Sequence, residues 1–409
     1  MGKPKIRFKG FTEDWEQSKL EDLCNFINGD RSSNYPNATD FQVNGIPFVG
    51  SDSLGMTYIN KNKLRFISTE KYFQMKGLKI QKGDILYTLR GAGFGKCSIS
   101  DFSEGTIASS LVGIRCSELL KSLFLIQWLN STNAENEKKK AVNGSTAQNI
   151  SVEDMKLYIV YIPTIEEQEK ISEYLLNLDN LITLHQRKCD ETKKLKKYML
   201  QKMFPQNGMK VPEIRLEGFT GDWEQRKLGE ICLRVQGNDG RMELPTLTIS
   251  AGNGWMRQED RFSGNIAGKE LKNYTLLRKG ELSYNHGNSK LAKYGAVFSL
   301  QTYEEALVPR VYHSFKVIKG NADFVEYYFA TKLLDRELGK LISSGARMDG
   351  LLNIGYDEFM GIPLMVPTTE EQMKIAIYFR NLDHLITLHQ QKCDKLMKIK
   401  KYMLQNMFV

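Results

Sequence analysis

Two blocks of sequence each occur twice in this chain of 409 residues. Residues 6–17, IRFKGFTEDWEQ, return at 214–225 as IRLEGFTGDWEQ. Residues 163–204 return at 367–408 with most positions unchanged. The stretches between the repeated blocks are mostly dissimilar. The pattern predicts two copies of one structural frame that hold different contents in equivalent positions.

Length and composition narrow the class of protein. A chain of 409 residues is long for one hydrophobic core, so we expect two or more domains. No apolar run approaches the roughly 20 residues of a membrane span, and the N-terminus lacks a signal-peptide core, which favours a cytoplasmic protein. Six cysteines without a Cys-x-x-Cys motif favour reduced, buried thiols. A net charge of +9 is compatible with a polyanionic partner.

The second repeated block predicts two long helices. Thr164 with Glu167, and Thr368 with Glu371, match the capping-box spacing at a helix start. Apolar and small residues then recur every three or four positions over roughly 60 Å of helix, a pattern typical of a coiled-coil seam. The central seam positions are Leu178, Ile182, His185 and Cys189 in the first helix, and Leu382, Ile386, His389 and Cys393 in the second.

Charge predicts how these helices pair. The first helix begins with acidic residues and ends with lysines, and the second also ends with lysines. Antiparallel pairing sets each acidic half against a basic half, whereas parallel pairing opposes like charges. His185 and His389 lie near the helix midpoints, so antiparallel pairing about a pseudo-twofold axis brings the two imidazoles together. We favour a polar, register-fixing contact over a metal site, because two histidines alone make a poor ligand set.

The segments between the frames, about 24–161 and 232–365, read as diverged copies of one α/β domain. The turn at Lys82-Gly83-Asp84 corresponds to Lys279-Gly280-Glu281, and each leads into a strand followed by a polar loop. The predicted class is α+β, with two globular α/β domains separated by two long antiparallel coiled-coil helices. The predicted boundaries are 1–161 for the first domain, 162–205 for the first helix, 206–365 for the second domain and 366–409 for the second helix.

The sequence lacks the common catalytic motifs. The glycine-rich loop at residues 90–96 fails the Walker pattern, because Arg90 and Cys97 occupy its first and last positions. This loop fits either a phosphate contact or a tight strand connection. Zincin, serine-hydrolase, nuclease and adenine-methyltransferase signatures are also missing. Trp15 and Trp223 belong to the repeated frame, which favours a core position over base stacking.

The first repeated block and the helix start Pro163-Thr164-Ile165-Glu166-Glu167-Gln168, each with its second copy, carry a family resemblance. Over essentially its full length the chain resembles the specificity (S, or HsdS) subunit of type I restriction-modification systems. The resemblance implies a non-catalytic, DNA-binding subunit whose two variable domains each read one half of a bipartite target. It also implies helices that set the spacing and dock two modification (methyltransferase) subunits.

The same resemblance implies that two restriction (motor-nuclease) subunits complete the complex. The S-adenosylmethionine, ATP and Mg²⁺ required for the chemistry are expected on these partner subunits, with no cofactor or metal in this chain. Two other classes remain open on the sequence. One is a self-sufficient DNA methyltransferase or nuclease, and the other is a coiled-coil scaffold without DNA specificity.

Candidate DNA contacts are polar or basic residues on the variable loops. The base-reading candidates are Arg90, Lys96, Ser145, Thr146 and Gln148 in the first domain, and Asn285, His286, Asn288, Lys290 and Arg347 in the second. The phosphate-contacting candidates are Lys61, Lys63, Arg65, Arg257 and Arg261.

Overall fold

The computed structural model describes residues 2–142, 149–206, 208–262, 268–287, 289–342 and 352–409. The chain divides into two compact units. Unit 1 comprises Met1–Arg187 and His389–Val409, and unit 2 comprises Lys188–Leu388. Each unit therefore contains one variable segment and one half of each long helix. No helix among the described residues combines the length and apolar character needed to cross a membrane.

The elements of unit 1 alternate short strands with short helices before the first long helix. Its strands are β1 Glu16–Lys19, β2 Cys24–Asn28, β3 Phe41–Gln42, β4 Ile46–Val49, β5 Arg65–Ile67, β6 Ile85–Thr88, β7 Cys97–Ile99, β8 Thr106–Ile107, β9 Leu111–Cys116 and β10 Ile159–Ile162. Its helices are α1 Leu20–Leu23, α2 Thr69–Gln74, α3 Ser122–Leu129, α4 Thr132–Val142, α5 Val152–Lys156 and the first half of α6 Ile165–Lys202.

Unit 2 has a similar order, with one difference. Its strands are β11 Glu224–Lys227, β12 Cys232–Val235, β13 Leu247–Ser250, β14 Gly254–Arg257, β15 Thr275–Arg278, β16 Leu282–Asn285, β17 Ala296–Ser299, β18 Glu305–Val308, β19 His313–Val317 and β20 Pro363–Val366. Its helices are α7 Leu228–Ile231, α8 Gln258–Phe262, α9 Ala322–Ala330, α10 Asp335–Lys340, α11 Tyr356–Met360 and the first half of α12 Thr369–Asn406. Helix α8 precedes β15, the last strand before β16, whereas in unit 1 α2 follows β5, the last strand before β6.

The main sheet has the same order in both units. It runs β2-β9-β6-β7 in unit 1 and β12-β19-β16-β17 in unit 2, and all neighbouring strands are antiparallel. The predicted turns before β6 and β16 are present, and their glycines, Gly83 and Gly280, have φ values of +95° and +82°. Only glycine adopts this conformation without strain, which explains why both turns contain it. The α+β class is thus confirmed.

The secondary sheets distinguish the units. Unit 1 has a four-stranded sheet in the order β3-β5-β4-β8, whereas unit 2 has two separate pairs, β13-β14 and β15-β18. The unit 1 sheet contributes Phe48 and Ile67 to one apolar cluster, and the unit 2 pairs contribute Leu247 and Leu277 to another. The variable content of each unit therefore lies largely outside the shared main sheet.

The repeated frame is held by matching ion pairs. Arg7 donates two hydrogen bonds of 2.7 Å to the carboxylate of Glu167, and Arg215 donates two of 2.8 Å to Glu371. The Glu167 and Glu371 side chains are 0% and 1% exposed. The predicted capping boxes are wrong in one respect, because these carboxylates bind arginine. Only the cap hydroxyls of Thr164 and Thr368 follow the prediction, each accepting a 3.4 Å bond from a helix backbone amide.

The frame tryptophans are core residues, as predicted. Trp15 is 4% exposed and packs edge-on against Phe124 and Phe408, while Trp223 is 1% exposed and packs against Phe204 and Phe324. In unit 2, Phe204 lies two residues beyond the end of α6 and packs on the frame residue Trp223. In unit 1 the same packing joins the two ends of the chain, because the amide of Ile6 donates to the carbonyl of Asn406 at 2.9 Å.

The long helices pair antiparallel within each unit, as charge predicted. Asp179 contacts Lys400 at 2.5 Å in unit 1, and Asp383 contacts Lys196 at 2.6 Å in unit 2. The variable domain also binds these aspartates. Thr57 and Gln127 donate to Asp179, and Tyr327 donates to Asp383. Each pair therefore fixes both the helix register and the position of the domain on the helices.

The central seam positions of the two long helices are buried or partly buried. Leu178, Ile182, Cys189, Leu382 and Cys393 are buried. Ile386, His185 and His389 are partly buried. The Nδ1 atoms of His185 and His389 lie 3.0 Å apart, so the expected meeting of the two imidazoles occurs within unit 1. In the described parts of the chain, no group of three or more His, Cys, Asp or Glu side chains is placed to hold a metal ion.

The six cysteines are all described, and none is joined in a disulfide. Five are buried, which agrees with the expected thiols, while Cys116 is partly exposed. Its sulfur lies 4.0 Å from that of Cys24 on the neighbouring strand.

Candidate nucleic-acid interface

Three loops of unit 1 meet at one end of the main sheet. Strands β2 and β6 end there, and β9 begins there, because Asn28 pairs with Val112 and Thr88 pairs with Leu111. We call this end loop edge 1; it comprises residues 29–34, 89–96 and 108–110. The amide of Leu89 donates to the carbonyl of Ser110 at 2.9 Å, which ties two of the loops together.

Unit 2 has the corresponding end, which we call loop edge 2. It comprises residues 236–241, 286–287, 289–295 and 309–312, which follow β12, follow β16 and precede β19. The strand register places them together, since Val235 pairs with Ser314 and Tyr284 pairs with His313. Because the sheet order is the same, loop edges 1 and 2 are equivalent surfaces carrying different residues.

A further segment attaches to each loop edge in the same way. The amide of Ile150 donates to the carbonyl of Leu89 at 3.0 Å, and the amide of Leu352 donates to the carbonyl of His286 at 2.8 Å. The stretch ending at Ile150 and the stretch starting at Leu352 therefore occupy equivalent positions on their loop edges. Five candidates lie outside the described residues, namely Ser145, Thr146, Gln148, Asn288 and Arg347.

Three candidate base readers are exposed on the loop edges. Arg90 and Lys96 lie in the β6–β7 loop of loop edge 1, and Lys290 lies in the β16–β17 loop of loop edge 2. The guanidinium of Arg90 donates to the carbonyl of Ser109 at 3.2 Å. This contact uses one donor of a five-donor group and leaves others for a ligand.

The structure contradicts the assignment of His286 as a base reader. Its side chain is buried, and its Nδ1 and Nε2 atoms each lie 2.7 Å from a backbone carbonyl, those of Leu352 and Val311. His286 therefore ties three segments of loop edge 2 together. A lone polar residue in a loop gives no local signal of burial, which is why its sequence position was misleading.

Asn285 is half-buried and uses its amide internally. It donates to the carbonyl of Ile249 at 3.1 Å and accepts from the amide of Gly287 at 3.1 Å. The Arg261 guanidinium donates to the same Ile249 carbonyl at 2.8 Å. Arg261, one of the phosphate candidates, therefore lies beside loop edge 2. Asn285 is therefore better described as a support for the loop than as a base reader.

The other phosphate candidates lie on the secondary sheets and are mostly engaged. Lys61 contacts Asp101 at 2.6 Å, and Arg257 donates to Glu259. The Arg65 guanidinium stacks 4.5 Å from the ring of Phe41, a cation–π contact. Lys63 is exposed on the short 3₁₀ helix Lys61–Lys63 of unit 1.

Sequence reasoning missed two exposed arginines on the loop edges. Arg31 lies three residues after the end of β2 and directly follows the turn residue Asp30, and Arg310 follows Pro309 before β19. The loop of Arg31 is anchored by the buried Asp30, whose carboxylate accepts from the amides of Ser32 and Lys76. Burial by itself would raise the pKa of Asp30. The hydrogen bonds from Ser32 and Lys76 lower it by more, so the pKa lies below the ordinary value. The detectable signal was an arginine beside a turn residue at a strand end.

Burial also tunes the interior of loop edge 2. His313 stacks on His286 with ring centroids 5.0 Å apart, and its Nε2 lies 2.9 Å from the carbonyl of Ile354. Burial, opposed in part by this hydrogen bond, lowers the pKa of His313 to about 4. His313 is consequently neutral at pH 7, and the surface above it carries its positive charge on exposed Lys and Arg side chains.

Comparison with known proteins agrees with this arrangement. The family model of the type I restriction modification DNA specificity domain matches residues 12–194 and 220–398. The MjaVIII specificity subunit of Methanocaldococcus jannaschii is 21% identical over 415 residues, covering 95% of this chain and 91% of the relative. The EcoBI specificity subunit of Escherichia coli is 29% identical over 163 residues, covering 39% of this chain and 34% of the relative.

A solved structure supports the fold. The crystal structure of the type I restriction-modification system S subunit from M. genitalium superposes with a TM-score of 0.64 and 15% identity, covering 99% of both chains. The two matched domain repeats fall one in each variable segment and its adjoining helix. The chain therefore belongs to the family of type I restriction-modification specificity subunits, the subunits that recognise the DNA target.

Proposed function

We propose that each unit reads one half of a bipartite DNA target through its loop edge, while the long helices set the spacing of the two halves. The observation that carries this proposal is the contrast between a constant frame and different loop edges. The Arg7–Glu167 and Arg215–Glu371 pairs hold equivalent frames. The exposed residues differ between the edges, so two unlike half-sites are expected.

The chemistry of the loop edges suits DNA. Arg90, Lys96 and Lys290 are exposed long cations, and Arg31 and Arg310 extend the positive surface. Arginine and lysine contact phosphates and guanine edges in the major groove. In the glycine-rich loop of unit 1, Gly91 and Gly95 have φ values of +88° and +82°, a conformation that favours glycine. Without side chains at these positions, the loop backbone can come close to the DNA.

The spacing follows from helix continuity. Helices α6 and α12 each run without interruption from one unit into the other. A length change made in both helices is therefore expected to change the gap between half-sites. Seven residues correspond to about 10 Å of helix, which is about three base pairs of B-DNA.

In this proposal the chain recognises DNA and does not itself catalyse methylation. Two modification subunits dock on the helices and supply methyl transfer from S-adenosylmethionine, and two restriction subunits supply the ATP- and Mg²⁺-dependent steps. The support is the membership of the family and the missing catalytic motifs in the sequence.

Methylome sequencing tests the proposal. A methylation-free host would carry the presumed modification subunit with or without this chain. We expect a split motif that is methylated only when the chain is present. A purified complex of both subunits that produces no new methylation would favour a scaffold, and methyl transfer by the purified chain alone would favour a self-sufficient enzyme; either result overturns the proposal.

A paired deletion tests the spacing. Removal of residues 181–187 and 385–391 shortens both helices by the same amount and keeps the antiparallel pairing. We expect a gap shorter by about three base pairs with unchanged half-sites. A matched seven-residue insertion in both helices serves as the second variant, with the opposite shift. An unchanged gap in either folded variant contradicts a role of the helices in spacing.

A further inference from the structure

The β16–β17 loop of unit 2 ends in a tight turn with two exposed residues at its tip. The amide of Ser289 donates to the carbonyl of Ala292 at 3.1 Å, and the amide of Ala292 donates back to Ser289 at 3.2 Å. This reciprocal pair is the closing pair of a two-residue hairpin turn. The Ser289 hydroxyl also accepts from the amide of Ala292, which holds Lys290 and Leu291 at the tip.

Leu291 projects from loop edge 2. Its side chain is 72% exposed, whereas the adjacent Ala292 is 2% exposed. Leu291 lies over the turn between β13 and β14, where its Cδ1 is 3.2 Å from the position a Cβ on Gly252 would take. A side chain at Gly252 would crowd the leucine, so the two residues are matched in shape.

The charges around Leu291 are positive. Lys290 and Lys293 flank it, and both are exposed. The Lys293 ammonium lies 5.2 Å from the ring of Tyr294, which leaves its charge at the surface beside the leucine. An apolar side chain framed by two cations fits a DNA groove, where phosphates attract the lysines and a base edge can take the apolar contact.

The equivalent loop of unit 1 is built differently. In residues 89–96 the large apolar side chains are Leu89, which is buried, and Phe94, which is half-buried beneath the ammonium of Lys138 at 5.3 Å. The exposed residues Arg90 and Lys96 are polar. The protruding leucine is thus a feature of loop edge 2, and its effect should be confined to one half of the target.

We infer that Leu291 is a specificity-determining residue that contacts the 5-methyl group of a thymine in the half-site read by unit 2. Lys290 and Lys293 contact the flanking phosphates. The inference rests on the proposed function. Thymine is the base recognised because its methyl group is the one apolar group that a base pair presents in the major groove.

Leu291→Ala tests the contact, and Leu233→Ala is the matched control. Leu233 is a 49% exposed leucine of the same unit, on strand β12 rather than on the loop edge. We expect the methylome of Leu291→Ala to show one position, in one half of the motif, relaxed from thymine to any base. The Leu233→Ala motif should equal that of the unchanged chain. Lys290→Ala should weaken binding without relaxing the motif, since phosphate contacts carry no sequence information.

A base analogue isolates the methyl group. Binding of the complex with the modification subunit is measured on target DNA in which each thymine is replaced in turn by uracil. Loss of one buried methyl group corresponds to about three- to five-fold weaker binding. We expect this loss at one thymine for the unchanged chain and no loss at that position for Leu291→Ala.

The outcomes separate this inference from the proposed function. An unchanged motif for Leu291→Ala, or an equal uracil effect in both proteins, overturns the thymine contact while leaving half-site reading intact. Relaxation in both halves also overturns it, because that result indicates a general loss of binding. If the unchanged chain directs no split motif at all, the proposed function itself fails.

Discussion

Loop edges 1 and 2 occupy the same end of the same sheet, yet their interiors differ in polarity. In unit 1 the position after β6 is the buried Leu89, and Val112 pairs with Tyr87. In unit 2 the corresponding residues are His286 and His313, which hold neighbouring carbonyls. The comparison teaches that one frame accepts either an apolar or a hydrogen-bonded support beneath its loops, provided the strand order is kept.

The frame itself should be equally sensitive in both units, and breaking it should give the largest effect. Arg7→Ala and Arg215→Ala each leave a fully buried carboxylate unpaired, so each should cost about 3–5 kcal/mol. Chemical denaturation followed by tryptophan fluorescence measures the loss, because Trp15 and Trp223 lie in the two frames. The double variant Arg7→Leu with Glu167→Leu is the control and should cost much less. Equal costs for the single and double variants contradict the assignment of the ion pair.

The helix ion pairs should separate the units. The Asp179 and Lys400 side chains are 3% and 12% exposed, whereas Asp383 and Lys196 are 42% and 23% exposed. Asp179→Asn should therefore cost about 2–3 kcal/mol and Asp383→Asn about 1 kcal/mol or less. Added salt should reduce only the second cost, since solvent-exposed pairs are screened. Denaturation in low and high salt measures both, and equal costs would remove the distinction between the two pairs.

The buried His313 should make unit 2 sensitive to mild acid. Its pKa is about 4 in the fold and 6.5 when unfolded, so the unfolded chain binds the proton first as the pH falls. Above pH 6.5 His313 is neutral in both states, and its contribution to stability is fully present. As the pH falls from 6.5 to 4, the free energy of unfolding declines by at most about 1.4 kcal/mol per pH unit. His313→Val installs the unit 1 residue and should flatten this slope between pH 6.5 and 4. Thermal unfolding across that range measures it, and identical slopes would show that His313 is not the group responsible.

The loop-edge arginines should give the smallest effects. Arg31→Ala and Arg310→Ala each remove one exposed cation. If the residue contacts a phosphate, the negative slope of log affinity against log salt should become shallower by about 0.9. Binding of the complex to target DNA at several salt concentrations measures the slope. A change of motif in one half, instead of a uniform loss, would identify that arginine as a base reader. An unchanged slope and motif would place it outside the interface.

Periodic and local features were predictable from the sequence. The seam from Leu178 to Cys189 follows from helical spacing, and the contact of His185 with His389 follows from charge-directed antiparallel pairing. The glycine turns at Gly83 and Gly280 follow from a conformation that other residues avoid. The exposure of Arg90, Lys96 and Lys290 was also predictable, because long cations in loops stay in solvent without long-range contacts.

Long-range pairing escaped sequence analysis. Glu167 fits a helix cap by spacing, but its partner is Arg7, which lies 160 residues away in the chain. His286 reads as a loop donor, but burial turns it into a support. Arg31 and Arg310 join the loop edges because β9 and β19 insert between earlier strands of their sheets.

The sequence by itself determined the duplicated frame, the two long helices, their direction of pairing and the residue types available for DNA. These depend on repetition, periodicity and charge, which are written along the chain. Only the tertiary structure decided which loops share an edge, which carboxylate binds which arginine, and that Leu291 stands exposed while His286 is buried. Those outcomes depend on strand order and packing, where residues distant in sequence compete for the same space and the same hydrogen bonds.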